Sequence, residues 1–194
     1  LARAAARTPD RLCAEFPAHG GERWSYADAD RSANRAAHAL RALGIAKGDT
    51  VALFHEASPM HLRFLLGTLR LGAVIAPLND AYRGDILRHV LDLCGARVLV
   101  CSAEFADRLA GLALRAVTTV ILTGAVAAPL RELLARRYRL VDADILAAVP
   151  DTAPAVEAIH FWDPYAVVFT SGTTGPSKGA LSPYAPRFPF ETWV

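Results

Sequence analysis

Residues 50–79 read TVALFHEASPMHLRFLLGTLRLGAVIAPLN. Val51 to Phe54 is a short apolar run of strand length. Ser58-Pro59 then opens a helix, with Ser as cap and Pro in the first turn. Leu62, Leu65, Leu66 and Leu69 recur at helical spacing and are expected to form its buried stripe. Gly72 stops the helix, and Ala73 to Ala76 is the next apolar run. A strand, an amphipathic helix and a second strand within thirty residues predict a parallel β-α-β unit.

The same alternation extends in both directions. Upstream, Leu12 to Phe16 and Glu22 to Trp24 are expected to pair as a hairpin across Gly20-Gly21. Ser25 with Asp28 makes a capping box for a helix carrying Tyr26, Ala29, Ala33, Ala36, Ala37, Leu40 and Leu43, closed by Gly44. Downstream, a helix over residues 85–94 stops at Gly95, and Arg97 to Cys101 is a strand. Ser102 caps a further helix to about Gly111. Thr118 to Leu122 is a strand, Leu130 to Arg136 a helix and Tyr138 to Val141 a strand. Residues 142–162, with Pro150 and Pro154, read as a connector into the strand Ala166 to Phe169. The predicted fold is α/β, a mostly parallel sheet with helices on both faces.

Composition excludes several classes. Of the 194 residues 53% are apolar and 21% charged, with a net charge of +2. That balance makes no case for nucleic acid as partner. The Arg131, Arg136, Arg137 and Arg139 cluster reads as a solvated helix face and end. The longest uncharged run, Ala116 to Leu130, is too short and too interrupted to span a membrane. Cys13, Cys94 and Cys101 match no metal spacing, and a reducing cytosol is the expected compartment. Only Lys47 and Lys178 are lysine among 21 basic residues. In so Arg-biased a chain, each Lys is expected to have a reason.

After the last predicted strand comes Phe169-Thr-Ser-Gly-Thr-Thr-Gly-Pro-Ser-Lys-Gly179. Gly172, Gly175 and Gly179 permit positive φ and a close backbone approach to a ligand. Successive N–H groups make an anion-binding nest, hydroxyls add donors, and Lys178 adds a mobile point charge. An exposed Gly/Ser/Thr loop with an incidental Lys has the same composition. The loop is not a Walker A motif, because Lys178 follows Ser177 and precedes Gly179.

In residue order, positions 169–179 resemble the signature loop of the adenylate-forming (AMP-binding) superfamily, which includes acyl-CoA synthetases and peptide-synthetase adenylation domains. Trp24-Ser25-Tyr26-Ala27-Asp28 resembles the family's W-T-Y-x-E/D lead into a helix. Leu43-Gly44 through Gly48-Asp49-Thr50-Val51-Ala52 resembles LG-x-x-x-GD-x-VA. Gly72-Ala73 through Pro77-Leu78-Asn79 resembles GA-x-x-x-P-L/I-N. The resemblance covers nearly all of residues 1–180, as the N-terminal portion of the family's large domain, with 181–194 a Pro- and aromatic-rich irregular tail.

The resemblance implies ATP-dependent activation of a carboxylic acid as acyl-adenylate, then transfer to coenzyme A, as in fatty acid metabolism. Thr170, Ser171, Gly172, Thr173, Thr174, Gly175 and Lys178 would grip the ATP phosphates, with Mg²⁺ bridging them. No residue of this chain is assigned as a catalytic group or metal ligand. The family's adenine pocket, hinge and catalytic Lys lie downstream, so the 194 residues alone are expected to be inactive. The alternatives are a peptide-synthetase adenylation fragment and a non-catalytic phosphate- or partner-binding fragment. Tyr184 stands where many relatives carry His. His55, His61 and His89 are expected to be structural or surface residues.

Overall fold

The computed structural model describes residues 1–170 and 177–184. Helix α1 (Ala2–Arg7) leads into a two-stranded antiparallel hairpin of β1 (Leu12–Phe16) and β2 (Glu22–Ser25). Helix α2 (Tyr26–Ala42) follows directly. Its capping box is complete: Ser25 Oγ accepts from the Asp28 N–H, and Asp28 Oδ2 accepts from the Ser25 N–H at 3.0 Å. The remaining elements are β3 (Thr50–Phe54), α3 (Pro59–Arg70), β4 (Val74–Pro77), α4 (Gly84–Cys94), β5 (Val98–Ser102), β6 (Thr119–Thr123), α5 (Ala128–Ala135), β7 (Arg139–Asp142), β8 (Pro164–Thr170) and β9 (Lys178–Pro183). Short 3₁₀ turns occupy Ala103–Leu109 and Ala143–Ala147, the second inside the expected connector.

The main sheet has seven strands in the order β7-β6-β5-β3-β4-β8-β9, parallel except for the last pair. One face packs under α4, α5 and the first 3₁₀ turn, around Phe54, Leu87, Leu91, Phe105 and Leu134. The other packs under α2, α3 and the second 3₁₀ turn, around Leu40, Leu53, Phe64, Val100 and Leu146. The expected two-faced α/β architecture is therefore present. Cys101 lies wholly within it, and burial pushes its thiol up to about 12.

Two expectations are corrected. Helix α3 buries Phe64, Gly67 and Thr68, not the Leu62, Leu65, Leu66 and Leu69 stripe, which is only half covered. Both sets have helical period, so spacing alone does not choose between them. The neighbour does: a Cβ on Gly67 would lie 2.4 Å from the Ala36 Cβ of α2, so the small residues let the two backbones close up. The second correction concerns the chain after the loop. Strand β9 runs through Pro183, so Leu181 to Pro183 are strand and not irregular tail. The boundary expected at residue 180 falls inside that strand. The rest of the expected tail, residues 185–194, lies outside the described residues.

Candidate functional site

Strand β8 joins the sheet beside β4, with Ala166 opposite Ile75, and reaches its exposed carboxyl end at Thr170. That is the sheet edge where ligands bind in open parallel folds. Strand β9 returns antiparallel, with Val167 opposite Leu181, Phe169 opposite Gly179 and Thr170 opposite Lys178. Thr170 and Lys178 are thus the two stems of the signature loop, and both are exposed. Directly opposed residues share a sheet face. The Thr170 hydroxyl lies 3.5 Å from the Lys178 carbonyl. Ser171, Gly172, Thr173, Thr174 and Gly175 lie outside the described residues, so of the predicted phosphate grip the structure positions the two ends.

Gly179 has a different reason from the one expected. It is extended strand and not positive φ, and a Cβ there would meet the Val167 Cγ1 at 3.0 Å. The residue lets β9 close onto β8 beneath the loop.

The structure gives His89, expected to be a structural or surface residue, a specific structural contact with the loop. From α4, its Nε2–H donates to the Ser177 carbonyl at 2.9 Å, one residue before Lys178. The loop's returning limb is therefore held from a helix 88 residues away in sequence. The bond requires the Nε2–H tautomer or the imidazolium. No local pattern around residue 89 announces this contact.

His55 and His61 sit at the carboxyl end of β3, where the chain order switches between β4 on one side and β5 on the other. His55 is buried and ties β3 to β6 through Nε2 and the Thr123 hydroxyl, 2.7 Å apart. Its Nδ1 contacts Glu56 Oε2 at 3.1 Å and the Ser58 hydroxyl at 3.2 Å. Burial, then the neighbouring His55, pushes the His61 imidazole below its ordinary value. His55 thus has a structural place, tying β3 to β6 and to the start of α3.

The other lysine has an equally definite place. Lys47, in the turn between α2 and β3, donates to the Ala158 carbonyl at 2.6 Å and pairs with Asp163 at 2.8 Å. It pins the connector at the base of β8. The His160 backbone N–H first, and Lys47 second, hold the Asp163 carboxyl below the ordinary range. Of the basic cluster, Arg131 is tied bidentately to Asp142, while Arg136, Arg137 and Arg139 are exposed.

Among the described residues, no group of three His, Cys, Asp or Glu is placed to hold a metal ion. No helix among them is long and apolar enough to cross a membrane.

Known proteins share this arrangement. The medium/long-chain-fatty-acid–CoA ligase FadD6 of Mycobacterium tuberculosis is 32% identical over 181 residues, covering 91% of this chain and 27% of that protein. The phosphinothricin tripeptide synthetase PhsC of Streptomyces viridochromogenes is 32% identical over 180 residues, 93% of this chain and 14% of that protein. The solved structure of a Mycobacterium tuberculosis fatty acyl CoA synthetase superposes with a TM-score of 0.75 at 29% identity, covering 94% of this chain and 33% of that one. The chain thus spans a third or less of the length of these relatives. The family profile described as AMP-binding enzyme matches residues 1–185, and with the β8–β9 stem in place the chain belongs to the AMP-binding, adenylate-forming ligase family.

Proposed function

We propose that this chain supplies the phosphate-gripping part of an ATP-dependent carboxylate–CoA ligase. The observation that carries the reading is the Thr170–Lys178 pair at the exposed carboxyl end of β8. It frames a loop of Ser, Thr and Gly with one cation, braced from behind by His89. In the proposed reaction the acid's carboxylate oxygen attacks the α-phosphorus of ATP, and pyrophosphate leaves. The thiol of coenzyme A then takes the acyl group and AMP departs. Such chemistry depends on holding the phosphates and offsetting their charge. Lys178 would provide the mobile charge, and Thr170 with Ser171 to Gly175 the hydroxyl and N–H donors.

Mg²⁺ is held mostly by phosphate oxygens and few protein groups in sites of this kind. The exposed Thr170 hydroxyl at this edge would offer such a cation one oxygen, and the nucleotide phosphates the others. Similarity to FadD6 supports a fatty acid as the carboxylate. The free thiols of Cys13, Cys94 and Cys101 support a reducing, cytosolic compartment.

ATP–Mg²⁺ titrated calorimetrically into the 194-residue chain should bind saturably. Lys178→Ala should weaken that binding about ten-fold, the scale of one charge-assisted phosphate contact. Absence of binding by the unsubstituted chain sinks the reading. The same 194 residues are expected not to release pyrophosphate with acid, ATP and coenzyme A, and release would show that they hold a whole active site.

The similarity to PhsC favours a second reading, an adenylation unit of a peptide synthetase. The two differ in the acceptor thiol. Thioester formed on coenzyme A by the parent enzyme supports the first, and thioester formed only on a carrier-protein pantetheine supports the second.

A further inference from the structure

A cavity of about 580 Å³ opens on the α2–α3 face, between the end of β2, the first half of α2 and the 3₁₀ turn Ala143–Ala147. No residue of β8 or β9 lines it among the described residues, so it is separate from the loop stem.

Its floor carries an unusual cation. The Arg63 guanidinium, from the first turns of α3, lies over the ring of the buried Trp24, 5.4 Å from the centroid. Among the described residues it has no ion pair and no hydrogen bond. The ring face offers Arg63 attraction without accepting any N–H in its plane. Burial first depresses its pKa, Glu22 opposes that shift, and the nearby Arg35 adds to it. Arg35 itself is only loosely held, 3.4 Å from Asp151.

Of the four acids that line the cavity, Glu22 and Asp28 are engaged with other groups. Glu22 accepts the Trp24 indole N–H at 2.7 Å. Asp28 serves the Ser25 cap and pairs with Arg31 at 2.6 Å. Asp151 faces Arg35, and Asp144 is exposed. A partly desolvated guanidinium with its N–H edge free is a costly arrangement. A bound oxyanion offsets the cost, because the Arg fork matches phosphate or carboxylate oxygens bidentately.

We propose that this cavity is a second anion site, which binds a phosphate-type oxyanion through Arg63 with Arg35 as the supporting donor. Arg63 presents the fork, Trp24 fixes its plane and Arg35 closes on the anion from α2. The cavity has room for more than one phosphate, so the anion is either free phosphate or the phosphoryl group of a larger molecule.

The test is a titration of inorganic phosphate into the 194-residue chain at low ionic strength. It is followed by calorimetry and by the Trp24 indole N–H resonance in ¹⁵N-labelled protein. Saturable binding is expected, with a shift of that resonance and a loss of at least about ten-fold in affinity for Arg63→Gln. Arg35→Gln should weaken binding by less. Binding that Arg63→Gln leaves unchanged, or that saturates without moving the Trp24 signal, overturns the proposal, as does no saturable binding. If Arg63→Gln fails to fold by circular dichroism, the Trp24 titration of the unsubstituted chain decides. AMP provides the second arm, in the Lys178→Ala background to suppress the loop. An Arg63-dependent affinity tighter than that of phosphate identifies a phosphoryl group on a larger molecule. Equal affinities identify free phosphate. Both results support the site.

Discussion

The middle of the sheet and its β8–β9 edge are built on opposite principles. In β5 and β6 every residue is buried, and in β3 Val51 to Phe54 are wholly inaccessible. At the other edge only Ala166 of β8 is buried and no residue of β9 is, with Val168 47% and Leu181 65% exposed. The strands in the middle are held by apolar burial from two faces. The edge is held by a hairpin ladder, by His89 on Ser177 and by Lys47 on Asp163. Apolar burial stabilises by roughly 25 cal/mol per Å² and is indifferent to chemistry. A loop proposed to hold phosphate needs polar groups, glycine and access for the ligand, which suits the edge where burial is least. Apolar burial is concentrated in one region and the proposed chemistry in the other.

Substitutions should separate the two. Phe54→Ala removes a fully buried ring that packs on Phe105 at 4.9 Å. It should cost about 3–5 kcal/mol in urea unfolding. A loss under about 1 kcal/mol would mean that the middle is not the source of stability. Gly67→Ala drives a methyl into Ala36 and should cost about 1–3 kcal/mol by overpacking. A neutral result would show that α2 and α3 are free to move apart.

The edge should respond to pH instead. The folded-state pKa of Asp163 is depressed, so its contribution is present above the unfolded carboxylate value of about 3.9. That contribution is lost as pH falls through the lower folded value. Asp28 and Asp142 shift the same way, through Ser25 and Arg131 respectively. The urea midpoint should therefore fall below about pH 4, and Asp163→Asn should flatten part of that fall. An unchanged acid limb would remove the Lys47–Asp163 link from the account of the edge. The smallest effect is expected for Leu181→Ser on exposed β9, within about 0.5 kcal/mol by thermal melting. A larger loss would mean that the outer strand contributes to stability after all.

Much of this was legible before any coordinates. The Ser25–Asp28 box, the Ser58-Pro59 helix start and the Gly95 stop are rules over three or four residues, and all three hold. So does the alternation that built the parallel sheet. The wrong stripe on α3 came from a helix apolar on two faces, where period fixes the spacing but not which face is covered. Strand β9 was hidden by its composition, because Lys178-Gly179-Ala180 has little strand preference and pairs only because β8 offers a free edge. Thr170 and Lys178 were named as part of the loop's phosphate grip, and that they face each other across the hairpin depends on that register.

Residue order alone determined the fold class, the family loop and the suspicion that each lysine has a task, because periodicity, caps and motif spacing are local properties. Tertiary structure decided the task of Lys47 and the partners of two residues that no local pattern marks. Lys47 reaches Ala158, His89 reaches Ser177 and Arg63 settles over Trp24, each across 39 to 111 positions of sequence. Such contacts follow from which surfaces the packed sheet brings together, and no window of sequence contains both partners.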